Sequence, residues 1–139
     1  MESNIVISKE IYWLVLTILL TSLIWVPYIV NRIIEMGLIT ALSESDADLT
    51  PKKKWANRLM KAHGNSVENL ILFAPLVVVI DSLGINSVET AIACAVFFWS
   101  RLAYIFVYTF AVPYIRTVLF CVGFAVQICL VITLLKHAG

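Results

Sequence analysis

Apolar residues run through this chain in long blocks parted by short polar stretches. Ile11 to Val30, IYWLVLTILLTSLIWVPYIV, is 20 residues without a charge. At about 1.5 Å per residue such a helix crosses a hydrocarbon core of roughly 30 Å. Thr117 to Leu135 is a second uncharged run, of 19 residues. Two segments between them are less clean. One opens at Thr50–Pro51, where Thr can cap a helix and Pro suits its first position, and it runs to Ser82. The other follows the polar turn DSLGINSVE, centred on Gly84, and extends from Val88 to Val112 with Arg101 in mid-span. Pro113 marks the turn into the last block. The pattern predicts helices over about 9–37, 51–82, 88–112 and 114–136. With short connections, sequential helices become antiparallel neighbours. Residues 1–139 show no internal repeat or low-complexity tract and read as one all-α, four-helix membrane unit. Acidic Glu2 and Glu10 stand where a signal peptide needs a basic leader, so the first span is expected to stay in the mature protein.

Composition agrees: 61% of the residues are hydrophobic and 14% charged, against roughly 45–50% and about 25% in soluble domains. Ten basic and nine acidic residues leave a net charge of +1, which argues against a nucleic-acid partner. Arg32, Lys52, Lys53, Lys54 and Arg58 flank the first connection, and Arg116 follows the third. The second connection carries no basic residue. The positive-inside rule then puts the first and third connections in the cytoplasm and both termini on the other side. The triple lysine reads mainly as this topology signal, with lipid headgroups as a further contact.

Charge inside the spans is the unusual feature. Arg58, Lys61, Asn65 and Glu68 are spaced 3, 4 and 3 apart, and Arg101, Tyr104 and Tyr108 are spaced 3 and 4 apart. Each set shares one face of a helix, with His63 and Asn69 off the first stripe. Glu68 is 13 residues from Asp81 and Arg101 is 12 from Glu89, so both are expected near the midplane. An Arg or Asp there costs about 2.5–3.5 kcal/mol on the insertion scale, and a Glu68–Arg101 ion pair is the natural resolution. Lys61 and Arg58 still exceed what internal pairing needs. Surplus positive charge in a cavity calls for an anionic ligand.

The segments RLMKAHGNSVEN, RLAYIFVY and VPYIRTVLF resemble the MAPEG family, membrane-associated proteins in eicosanoid and glutathione metabolism. The resemblance covers nearly the whole chain, and the compact loops are similar to those of the bacterial branch. It implies a homotrimer in a bacterial inner membrane, with glutathione as co-substrate, no metal, and sites at subunit interfaces open to the cytoplasm. Arg58, Lys61, Asn65 and Glu68 would hold the charged ends of glutathione, with Arg101, Tyr104 and Tyr108 completing the wall. Arg116 would stabilise the thiolate, and Arg32 from a neighbouring subunit is a further candidate. Lys61 departs from the arginine of the eicosanoid enzymes.

The implied chemistry suits these residue types. Glutathione has two carboxylates and one ammonium, complementary to several Arg and Lys with one Glu. Lowering its thiol pKa from about 8.5 to about 6.5 takes about 2.7 kcal/mol, within reach of one close guanidinium. A lipophilic electrophile would arrive through membrane lipid. Duller readings cover the rest: Cys94, Cys121 and Cys129 lack metal or redox spacing, His63 is an interfacial polar residue, and Trp13, Trp25, Trp55 and Trp99 pack or anchor. The function the resemblance implies is a glutathione-dependent transferase or peroxidase; a non-catalytic lipid- or glutathione-binding scaffold and a small channel or transporter are the rivals.

Overall fold

The structure, a computed structural model, describes residues 4–43 and 50–139. Among the described residues six helices occur: α1 Lys9–Leu23, α2 Trp25–Met36, α3 Leu38–Ser43, α4 Lys54–Ser82, α5 Val88–Thr109 and α6 Ile115–Lys136. Four spans of the described residues are long and apolar enough to cross a bilayer: α1 with α2 over Lys9–Met36, then α4, α5 and α6.

The first span is not the single helix expected. It breaks at Ile24 because Pro27 has no N–H to give the carbonyl of Leu23, four residues back. Gly37 ends the span at φ 86°, a conformation that costs a residue without Cβ little. The short α3, which the hydrophobic pattern does not announce, follows it. Residues 44–49, including Ser45, belong to the polar connection and lie outside the described residues.

The second span starts at Lys54 and not at Pro51. The Glu35 carboxylate is the cause: it accepts from the main-chain N–H of Lys52 at 3.2 Å and of Lys53 at 3.3 Å. Those bonds hold Lys53 extended at φ −72°, ψ 133°. Glu35 also accepts from Asn31 Nδ2 at 2.9 Å and pairs with Arg32 at 3.3 Å, so one carboxylate ties α2 to the start of α4. At the opposite end the buried Glu10 accepts from Thr90 Oγ1, joining α1 to the capped first turn of α5.

Helix α5 packs against α1, α4 and α6, and α4 touches α1, α2, α5 and α6. Two apolar clusters form between them. One gathers Leu14, Phe73, Val77, Ile80, Cys94, Phe97, Val126 and Leu130, with Phe73 stacked on Phe97 at 3.8 Å between ring centroids. The other holds Ile24, Tyr28, Ala56, Leu59 and Ile105. In lipid such contacts stabilise by close packing, because the surroundings are equally apolar. Along α4 and α5 a polar layer falls between the two clusters.

Candidate functional site: a cationic ladder in the polar layer

Arg101 is the centre of this layer. It is 2% exposed, the largest fully buried side chain. Its Nη2 donates to Asn65 Oδ1 at 2.7 Å. Its Nε and Nη1 have no hydrogen-bond partner. A guanidinium carries five N–H donors, so one acceptor leaves it far from satisfied. The Tyr104 ring lies against it, with Cζ 4.3 Å from the ring centroid.

The expected Glu68–Arg101 ion pair does not form. Glu68 is exposed and has no ion-pair partner among the described residues, whereas Arg101 turns to Asn65. At about 100° per residue the stripe Arg58, Lys61, Asn65, Glu68 fans over roughly 80° of the helix surface. Arg58 and Asn65 sit at the edge facing α5, where Arg58 Nε donates to the Thr109 carbonyl at 2.7 Å. Lys61 and Glu68 sit at the other edge and are exposed.

From Arg101 the site continues as a ladder along α5. Tyr104 and Tyr108 lie 5.5 Å apart, and the Arg116 Cζ lies 5.3 Å from the Tyr108 ring. Two guanidiniums thus flank two tyrosines, one cation buried and the other exposed. Neither arginine has a carboxylate partner among the described residues. Tyr104, Tyr108 and Arg116 line a cavity of about 160 Å³ with Thr117 and Phe120.

The turn that presents Arg116 carries strain. Helix α5 ends three residues short of the expected 112, in a Schellman motif: Val112 N–H bonds the Val107 carbonyl and Ala111 N–H the Tyr108 carbonyl. Ala111 takes the left-handed position at φ 57°, usually given to Gly. Tyr114 follows at φ 66°, ψ −51°, while Ile115 N–H bonds the Pro113 carbonyl at 2.7 Å. This is a γ-turn of the rarer, positive-φ kind. Such residues cost about 1–3 kcal/mol each and persist where the surroundings over-determine them.

Arg32 stands apart. It is buried, and its ion pair is with Glu35 of its own chain. His63, set off the stripe, faces α2 with Nδ1 2.7 Å from the Tyr28 hydroxyl. Sequence reasoning missed Gln127 and set Asn69 aside, yet both extend the layer. Gln127 Nε2 donates to Asn69 Oδ1 at 3.0 Å, and Asn69 Nδ2 donates to the Asn65 carbonyl at 2.8 Å. The available signal was Gln127 itself, the one amide side chain between Thr117 and Leu135; a group so polar at that depth needs a partner.

A search across protein families finds that the MAPEG family model matches residues 11–136. No curated protein and no solved structure matches the chain. The family match takes in the first span from Ile11 and the other three in full, and the family's four-helix bundle is the architecture observed. The chain therefore belongs to the MAPEG family.

Proposed function

We propose that the protein is a glutathione-dependent transferase or peroxidase, a bacterial-type MAPEG member of the inner membrane that acts as a homotrimer with its site open to the cytoplasm. The observation that carries this reading is the ladder: Arg101, Tyr104, Tyr108 and Arg116 in continuous contact, with no carboxylate on either arginine among the described residues. An uncompensated cationic column at membrane depth favours an anion. Membership adds weight, because MAPEG proteins use glutathione.

The residues present fit that ligand. Arg58, Lys61 and Arg101 match its two carboxylates, and the unpaired Glu68 matches its ammonium. A cavity of about 160 Å³ is smaller than the roughly 300–1,000 Å³ usual for small-molecule sites. Lys61 and Glu68 also face away from their own chain. A neighbouring subunit that covers both residues would enlarge the cavity and give them a reason to face outward. Arg32, committed to Glu35, contributes least.

In this reading Arg116 favours the thiolate of glutathione. The thiol proton passes to water, the sulfur bonds to the electrophilic carbon, and the leaving group departs with the electron pair. Hydroperoxide reduction would begin from the same thiolate. The purified protein, assayed with glutathione against haloaromatic, epoxide and lipid hydroperoxide substrates, should turn over at least one class and run as a trimer by mass. Glutathione binding without turnover would favour a scaffold, and an active monomer would contradict the subunit-interface site.

A further inference from the structure

The hydrogen bonds of the polar layer have a direction set by Arg101. A guanidinium only donates, so the Asn65 atom 2.7 Å from Nη2 has to be its side-chain oxygen. The atom Asn69 presents to Asn65 meets two acceptors, the Asn65 carbonyl at 2.8 Å and Oδ1 at 3.3 Å. It has to be the amide nitrogen. Asn69 Oδ1 is thereby turned toward α6, where Gln127 Nε2 donates at 3.0 Å. Three amides on two helices are aligned head to tail from a charge that cannot reverse. Turning any of them over sets like against like in a buried layer.

Asn65 is partly exposed. With its oxygen held by Arg101 and Asn69, the N–H₂ end is what it offers outside the layer. Gly123 lies one turn before Gln127 on the same face of α6, and a Cβ placed there would sit 3.6 Å from Arg101 Nη1. Helix α6 therefore meets the guanidinium at Gly123 and the amide chain at Gln127.

We propose that Gln127 is a positioning residue for the anion site. It holds Asn69, Asn69 holds Asn65, and Asn65 then presents its N–H₂ beside Arg101 to a carboxylate of the ligand. This inference rests on the glutathione reading. It goes beyond it by assigning a role to a residue on α6 that does not touch the ligand.

Gln127→Met keeps the length of the side chain and removes the donor. Calorimetric titration of the full-length protein with glutathione should show the dissociation constant raised about tenfold. At saturation the ultraviolet thiolate signal of bound glutathione should keep its wild-type pH profile, because Arg116 is untouched. Gln127→His, which retains an N–H donor, should recover most of the affinity. If Gln127→Met does not fold, Gln127→Ser, polar but too short to reach Asn69, takes its place in the comparison with Gln127→His. A folded variant without the donor that melts earlier yet binds glutathione as wild type does would reduce Gln127 to helix–helix adhesion and overturn the proposal. Wild-type protein that does not bind glutathione would overturn the glutathione reading itself, and the positioning role with it.

Discussion

Arg101 reaches across to α4 and donates to Asn65 at 2.7 Å, while Glu68, one turn further along the same helix, looks outward. Asn65 and Glu68 therefore have different duties. Asn65 is the internal acceptor, so Asn65→Leu should cost about 1–3 kcal/mol by leaving the guanidinium without one. Glutathione affinity should fall with it. Glu68→Gln should leave melting nearly unchanged and weaken glutathione binding alone. Thermal melting and titration of both variants check the division; a large melting loss in Glu68→Gln would mean that the carboxylate does neutralise Arg101.

The turn before Arg116 makes a second prediction. Ala111 holds a left-handed φ of 57°, where Cβ is penalised and Gly is not. Ala111→Gly should raise the melting temperature, by an amount equivalent to about 0.5–1 kcal/mol. Activity should hold, since Tyr114 still sets the γ-turn. A lower melting temperature would place the strain elsewhere.

Topology is a third. In a cysteine-free background, a cysteine at Lys52 should react with an impermeant reagent only from the cytoplasmic face, and one at Asn86 only from the opposite face. The reverse labelling would move the mouth at Arg116 out of the cytoplasm.

Much of this architecture is legible in the residues. Uncharged runs delimit α1 with α2 and α6 because lipid tolerates little else, and Pro113 with Arg116 marks the last connection. What escapes the sequence depends on angles and on distant partners. The 3-4-3 spacing puts Arg58, Lys61, Asn65 and Glu68 on one face but does not say which edge of that face meets α5, and the choice decides between Asn65 and Glu68. The break at Ile24 was written in Pro27, which a hydropathy reading passes over. The start of α4 depends on Glu35, 17 residues before Lys52. Ala111 gives no sign of a left-handed turn, since that signal normally comes from Gly. Gln127 acquires meaning only when α6 is set against Asn69.

In the proposed mechanism Arg116, at the exposed end of the ladder, favours the thiolate of bound glutathione. The deciding measurement is ultraviolet absorbance of the bound thiolate, followed across pH in wild type and in Arg116→Ala. The variant should bind glutathione with nearly wild-type affinity, while the thiolate signal moves to higher pH. Turnover should fall by one to several powers of ten, roughly tenfold for each 1.4 kcal/mol of lost transition-state stabilisation, and the defect should shrink as pH rises and the thiol ionises unaided. An unchanged thiolate signal with unchanged turnover would remove Arg116 from the chemistry.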